Sequence, residues 1–109
     1  MLNPGDIVTV NFIGAKQAKR RPAVVVSSNT YHQNRPDVIL AALTTNLGAA
    51  VTPLDFVLLD WADAGLRQPT AFRSYFNMEL SQGLRPIGSL SERDLQGVRA
   101  CLSRALAIP

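Results

Sequence analysis

The feature that most constrains the fold is a series of short apolar or alternating runs, each followed by a polar segment that contains Gly or Pro. Runs of this length are typical of β-strands, because helices need longer amphipathic segments. The chain has 109 residues, which is the length of one compact domain. The sequence therefore predicts several strands around one core, in a single domain over residues 1–109. The predicted strands cover residues 7–12, 23–26, 38–43, 55–59 and 70–76.

Two of these strands alternate in character. In the first, Val8, Val10 and Phe12 share one face, and this period of two predicts a half-buried strand. In the last, Phe72 and Phe76 alternate with a face that carries Arg73. Residues 14–21 and 27–37 are predicted loops. Pro22 is expected to start the second strand, since proline is excluded from the interior of central strands.

One helix is predicted, at the end of the chain. Leu95, Val98, Leu102 and Ala105 recur at helical spacing and form one apolar face. Two capping boxes fit its start, Ser89 with Glu92 and Ser91 with Asp94. Gly97 weakens the helix by about 1 kcal/mol relative to alanine, and Cys101 is expected to be a small core residue. Strands followed by one helix favour a small barrel or a curled antiparallel sheet that the helix covers.

Several classes of chemistry are excluded by composition. The chain has one His and one Cys, too few for a disulfide framework or a closed zinc site of N and S ligands. His32, expected to be an exposed loop residue, cannot form a His-pair ribonuclease site within one chain. There is no Gly-rich phosphate motif, and the acids lack the spacing of a divalent metal site, so no metal or other cofactor is expected. With no apolar run near about 18 residues and no secretory signal, we expect no membrane association and a cytoplasmic location.

The charge is unevenly distributed. The formal net charge is +3, and every basic residue except Lys16 and Lys19 is arginine. Residues 16–21 form a basic block, whereas residues 37–66 contain aspartates and no basic residue. A local basic patch attracts phosphate, but it is also what a solvated loop looks like, and composition leaves both interpretations open.

Polar residues stand at the ends of the predicted strands. Arg21 precedes Pro22, Thr44 and Thr45 end the most apolar strand, and Arg73 interrupts the last one. A guanidinium fork matches a phosphate bidentately, and threonine hydroxyls can donate to the same oxygens. Together these groups could hold a phosphate without a metal. Taken separately, each is also an ordinary surface or strand-end residue.

Several segments in fixed order resemble a known family. They are Gly5 to Phe12 (GDIVTVNF), Arg21 to Ser27 (RPAVVVS), the loop Tyr31 to Asn34, and Val38 to Asn46 (VILAALTTN). In this order they resemble the MazF/PemK (Kid) toxins, the toxin halves of type II toxin–antitoxin pairs. The resemblance continues loosely through the strand of Arg73 and the helix at 90–106.

The resemblance implies a mainly β fold, a small SH3-like β-barrel with a C-terminal α-helix, and a homodimer. It also implies a sequence-specific, metal-independent endoribonuclease (an mRNA interferase) that cuts single-stranded RNA, leaves a 2′,3′-cyclic phosphate and a 5′-hydroxyl, and arrests growth. The catalytic residues it implies are Arg21, Thr44 and Arg73. The RNA-binding residues expected around them are Lys16, Gln17, Lys19, Arg20, Thr45, Asn46 and Tyr75.

The implied partner is an acidic antitoxin, whose tail would lie along the cleft against the Lys16–Arg21 block, with operator DNA bound through the antitoxin complex. Two positions depart from the family. The loop at 14–19 reads GAKQAK and lacks the serine and glutamate often found there, and Tyr75 stands where the Kid-type branch has aspartate. Because these acids are the obvious general bases, the alternative function is a weak or inactive SH3-like barrel that binds nucleic acid or an antitoxin-like peptide without cleavage.

Overall fold

The computed structural model describes residues 1–13 and 18–109, and for residues 12, 13, 18 and 19 it describes the backbone alone. The structure contains the following elements, given in chain order: β1 (Asp6–Ile13), β2 (Ala18–Val25), α1 (Asn29–Asn34), β3 (Asp37–Thr44), a 3-10 turn (Leu47–Ala49), β4 (Asp55–Val57), β5 (Ala71–Leu80), β6 (Gly88–Ser89) and α2 (Glu92–Leu106). Among the described residues, no helix is both long enough and apolar enough to cross a membrane.

The strands form one curled sheet in the order β4-β5-β3-β2-β1-β6, and neighbouring strands pair antiparallel. The curl brings the segment after β4 against β6, where Gly65 and Gly88 allow backbone to touch backbone. A Cβ at Gly88 would overlap the carbonyl oxygen of Ala64. This half-barrel with a C-terminal helix confirms the predicted fold class.

Apolar side chains are buried on both faces of the sheet. On the face that we call the core face, Ile7, Val24, Leu43 and Phe72 pack against α2 through Val98 and Cys101. On the opposite face, which we call the second face, Val8, Ala23 and Leu40 belong to a separate cluster that Leu2 and Leu84 cover. Ile7 and Val8 are both fully buried, so the prediction of a half-buried first strand is wrong at its start. Cys101 is a core residue, as predicted.

Pro22 lies inside β2, not at its start. It is opposite Thr9 of β1, and the pairing of β2 with β3 begins one residue later, at Ala23. At Pro22 the strand is therefore registered with one neighbour, and a missing N–H is tolerated at such an edge. Residues 18–21 of the loop predicted over 14–21 are strand, and residues 14–17 lie outside the described residues.

The segment predicted as a loop over 27–37 contains the helix α1. Ser28 caps it, since its side chain accepts a hydrogen bond from the Tyr31 amide at 3.1 Å. His32 is half-buried in this helix, and its Nε2 lies 2.6 Å from Ser27 Oγ. The expectation of an exposed loop histidine is therefore wrong, because a six-residue helix is too short to show a helical period.

The start of α2 decides between the two capping boxes. Ser91 is the N-cap and accepts from the Asp94 amide. The Asp94 carboxylate is fully buried and accepts from the amides of Leu59 and Asp60 at 2.9 and 2.8 Å. Asp60 in turn receives a bidentate pair from Arg93, with both distances 2.7 Å. We call these contacts of Asp94, Asp60 and Arg93 the clasp, because they connect the start of α2 to the segment that follows β4.

Candidate functional site

Arg21 and Thr44 lie at the same end of neighbouring strands. The last registered pair of β2 and β3 is Ala23 with Ala42, and each of the two site residues is two positions beyond it. Residues two apart project from the same side of a strand. Arg21 and Thr44 therefore share the second face of the sheet with Ala23 and Ala42. The alanine side chains are small and occupy little space on this face next to Arg21 and Thr44.

Arg73 lies in an irregular part of β5. Between the pairs Ala41–Phe76 and Leu43–Phe72, β5 contains more residues than β3, so residues 73–75 form a bulge opposite Ala42. Bulges re-aim side chains and are frequent beside active sites. The regular alternation predicted for residues 70–76 is wrong here, since a bulge leaves no mark in the hydrophobic pattern.

The register assigns Arg73 to a face. Phe72 is opposite Phe56 and belongs to the core-face cluster, and Arg73 is opposite Asp55. Because β5 keeps its register with β4 as far as Arg73, the side chains of Phe72 and Arg73 still alternate, and Arg73 projects from the second face. The structure thus brings Arg21, Thr44 and Arg73 to one face at one end of the sheet.

The guanidinium of Arg73 is held from two sides. Its Nε lies 3.6 Å from Asp55 Oδ1, its Cζ is 4.6 Å from the centre of the Tyr75 ring, and its Nη2 donates to the Tyr75 hydroxyl at 3.4 Å. The Arg73 side chain is 26% exposed and that of Asp55 is 4% exposed. A cation over an aromatic face is attracted to it, so Tyr75 and Asp55 together limit where the guanidinium can go.

Asp55 is ionised in this setting. Burial by itself raises the pKa of Asp55, but hydrogen bonds from the Thr52 side chain and amide, together with the charge of Arg73, hold it below its usual value. The two Thr52 bonds reach Oδ2 at 2.8 and 3.0 Å. The negative charge of Asp55 therefore attracts the Arg73 guanidinium.

Thr44 is the last residue of β3, and its hydroxyl lies at the end of the strand. Its Oγ1 accepts from the Asn46 amide at 3.1 Å, which leaves the hydroxyl proton available to another acceptor. Thr45 and Asn46 are exposed in the turn that follows, and Arg20 and Arg21 are exposed on β2. All four lie within the described part of the chain, at the end of the sheet where Thr44 ends β3.

The remaining predicted positions lie elsewhere or are not described. Lys16 and Gln17 lie outside the described residues, and of Lys19 only the backbone, paired with Phe12, is described. Tyr31 donates to Asp37 at 3.0 Å, at the opposite end of β3 from Thr44, and so lies away from this site. Burial raises the pKa of Tyr31, and the hydrogen bond to Asp37 raises it further, which fits a structural role.

Sequence reasoning missed Asp55. In the sequence it is one of the aspartates of residues 37–66, and the acids lack the spacing of a divalent metal site. Over the described ranges, no three His, Cys, Asp or Glu side chains cluster in a way that could hold an ion. The pattern Thr52-x-x-Asp55 indicates a self-bonded turn, but the pairing of Asp55 with Arg73 depends on strand register, which one sequence does not reveal.

The comparisons with known proteins bear on the family of the chain and on its fold. Residues 3–106 match the family described as PemK-like, MazF-like toxin of type II toxin-antitoxin system. The sequence has no significant match among curated proteins.

Solved structures of low sequence identity share the fold. One is an endoribonuclease in complex with its cognate antitoxin from a mycobacterial species (17% identity, 100% of this chain and 98% of that chain, TM-score 0.80). Another is MazE-MazF from Deinococcus radiodurans (20%, 99% and 98%, 0.75). A third is the Mycobacterium tuberculosis toxin MazF-mt6 (18%, 95% and 98%, 0.75).

Proposed function

Because the chain belongs to the PemK-like, MazF-like toxin family of type II toxin-antitoxin systems, we propose that residues 1–109 act as one toxin domain that cleaves single-stranded RNA. The substrate class is mRNA cut at short sequence motifs, and the consequence is growth arrest. The cleavage uses no metal ion and no other cofactor.

One observation carries this proposal: Arg21, Thr44 and Arg73 share the second face at one end of the sheet. Two guanidinium groups and a hydroxyl on one surface suit a phosphodiester, whose non-bridging oxygens accept charge-assisted hydrogen bonds. The exposed Thr45 and Asn46 follow Thr44 in the chain and extend this surface beyond the end of β3, and the exposed Arg20 adds positive charge at the same end of the sheet. Unpaired bases of such a strand can stack on exposed aromatic rings, and Tyr75 is 60% exposed.

The proposed reaction is an internal transfer at phosphorus. The 2′-oxygen attacks the phosphorus atom and loses its proton to solvent, the bond from phosphorus to the 5′-oxygen breaks, and the 5′-oxygen takes up a proton. The products are a 2′,3′-cyclic phosphate and a 5′-hydroxyl. Arg21 and Arg73 stabilise the charge that builds up on the phosphorane oxygens, and Thr44 donates to one of them.

We assign the proton donation to Tyr75. Its hydroxyl oxygen accepts from Arg73 Nη2, so the phenolic proton is free to point toward the leaving 5′-oxygen. Arginine is a poor proton donor or acceptor, because its pKa exceeds about 12.

The test is RNA cleavage by Arg21→Ala in buffer containing EDTA, with Arg99→Ala on α2 as a matched control. We expect the wild type and Arg99→Ala to cut, and Arg21→Ala to cut at least about 100-fold more slowly. Equal rates for Arg21→Ala and the wild type would refute the role of Arg21. Loss of wild-type cleavage in EDTA would refute the metal-free mechanism, and RNA binding without cleavage would support a non-catalytic binding module.

We propose an acidic antitoxin as the regulatory partner and a homodimer as the active form, with operator DNA contacted through the antitoxin complex. Two of the similar structures are complexes with an antitoxin, and Arg20 and Arg21 offer exposed positive charge to an acidic tail. Induced expression should arrest growth, and co-expression of an acidic neighbouring reading frame should restore it. Light scattering of the purified chain would decide between monomer and dimer.

A further inference from the structure

The Arg73 side chain contains a buried donor that forms no hydrogen bond. Among the described residues, Nε has no hydrogen-bond partner, and its nearest carboxylate oxygen, Asp55 Oδ1, lies at 3.6 Å. A buried donor without a partner is unfavourable, so the negative charge of Asp55 is what compensates it. The guanidinium is thereby drawn toward β4 along its Nε edge, away from its terminal groups, of which Nη2 donates one N–H to the Tyr75 hydroxyl.

The Asp55 carboxylate cannot turn away from Arg73. Its Oδ2 accepts from both the hydroxyl and the amide of Thr52, and the Asp55 amide donates to the Thr52 carbonyl at 3.0 Å. With Oδ2 engaged twice, Oδ1 is the oxygen that faces the arginine. The four-residue turn Thr52–Asp55 therefore orients the carboxylate through its own backbone.

The same turn is attached to the bulge of β5. Ser74 Oγ donates to the Leu54 carbonyl at 2.8 Å. The residue next to Arg73 is therefore hydrogen-bonded to the turn that orients Asp55. On the other side of the guanidinium, the Tyr75 ring provides a flat surface at 4.6 Å. The bulge residues and the turn thus form one unit around the arginine.

We infer that Asp55, fixed by Thr52, is a positioning residue that aims the terminal N–H groups of Arg73 at the phosphate of the substrate RNA. This inference rests on the proposed ribonuclease function. Asp55 does not touch the substrate, because its side chain is 4% exposed. It acts through Arg73, whose orientation decides whether a phosphorane oxygen meets one donor or a bidentate pair.

The test is a double-mutant cycle in RNA cleavage. In the wild-type background, Asp55→Asn should lower kcat by about 10- to 100-fold, because misplacing a catalytic group by about 1 Å has an effect of that size, with little change in KM. In the Arg73→Ala background, the same substitution should change kcat less than about twofold, since residues that act through one another are not additive. Thr52→Val should follow Asp55→Asn with a smaller loss.

Asp63→Asn is the matched control, since it removes an exposed carboxylate of the same acidic segment, and it should cut like the wild type. Equal losses from Asp55→Asn in both backgrounds would show a merely structural role and overturn the inference, as would wild-type kcat in Asp55→Asn. The Nε–H signal of Arg73 in a ¹⁵N-labelled sample provides a readout without RNA. It should shift or broaden in Asp55→Asn, and an unchanged signal overturns the inference even if the wild type proves not to cut RNA.

Discussion

At the scale of single residues, the site depends on how two side chains, Asp55 and Tyr75, surround the guanidinium of Arg73 through three contacts. Arg73 has a carboxylate at its Nε, a phenol at its Nη2 and a ring beneath its plane. Each contact restrains a different part of the group. Together they hold a flexible side chain in one orientation before substrate arrives, and such preorganisation avoids the cost of ordering it later.

Substitution of Tyr75 separates the contribution of the ring from that of the hydroxyl. Tyr75→Phe keeps the ring under Arg73, whereas Tyr75→Ala removes it. An exposed cation–π contact is worth about 0.5–1 kcal/mol, so kcat/KM should be about two- to fivefold lower in Tyr75→Ala than in Tyr75→Phe, measured on one RNA substrate. Because the hydroxyl is assigned as the proton donor, Tyr75→Phe should itself cut at least about 100-fold more slowly than the wild type, and cleavage at the wild-type rate would contradict that role.

The residues Arg21, Thr44 and Arg73 could be singled out from the sequence, because arginine and threonine at strand ends are chemically suited to phosphate. The contacts of Arg73 could not. Its partner Asp55 comes from another strand, and the pairing depends on register. Tyr75 reaches Arg73 because both lie in a bulge, which the hydrophobic alternation of the strand does not reveal.

At the scale of elements, α2 packs against the edge of the sheet through an unusually close contact. A Cβ at Gly97 would overlap the ring of Phe56. The sequence suggested only that this glycine weakens the helix, because helix propensity considers one element at a time. In the fold the missing side chain is what lets β4 approach α2.

Gly97→Ala should therefore destabilise the protein, even though alanine is the better helix former. The gain in propensity is about 1 kcal/mol, and forcing a methyl group into a packed contact costs about 1–3 kcal/mol. We expect a net loss of about 1 kcal/mol in urea unfolding, and Phe56→Leu should reduce that loss in the double variant. A more stable Gly97→Ala would contradict the contact, and Ala100→Gly, at an exposed position of the same helix, measures propensity alone.

The number and order of the long strands and of the terminal helix follow from hydrophobic period and turn residues. The exceptions have local causes. The helix α1 depends on a serine cap and one turn of backbone bonds, and the strand β6 has two residues. Elements this short carry too few residues for a period to be detected.

At the scale of the whole molecule, the acidic middle of the chain serves the fold. Asp94 and Asp60 clasp the segment after β4 to the start of α2. Hydrogen bonds from Arg93 and Ser91 hold the pKa of Asp60 at about 2. The net charge of +3 is therefore unevenly placed: Asp60 and Asp94 hold the start of α2, whereas Arg21 and Arg73 lie on the second face.

Acid should weaken this clasp. The pKa of Asp60 in the folded protein lies below its ordinary value, so the folded state binds fewer protons than the unfolded state as the pH falls. The stabilisation is complete above about pH 5 and is lost as the pH falls toward 2. Thermal melts should show that Asp60→Asn loses less melting temperature between pH 5 and pH 2.5 than the wild type or Asp63→Asn. Parallel curves for all three proteins would contradict this role.

The place of α2 in the chain has a consequence for synthesis. The helix covers the core face, yet its residues 92–106 leave the ribosome after the strands of the sheet, and a growing chain folds from its N-terminal end. The sheet should remain an open, protease-sensitive intermediate until α2 has been translated. Ribosome-bound chains halted at residue 90 should be digested quickly, while those in which a long linker carries α2 clear of the ribosome resist. Protease resistance is therefore acquired in one late step, when the helix docks on the core face.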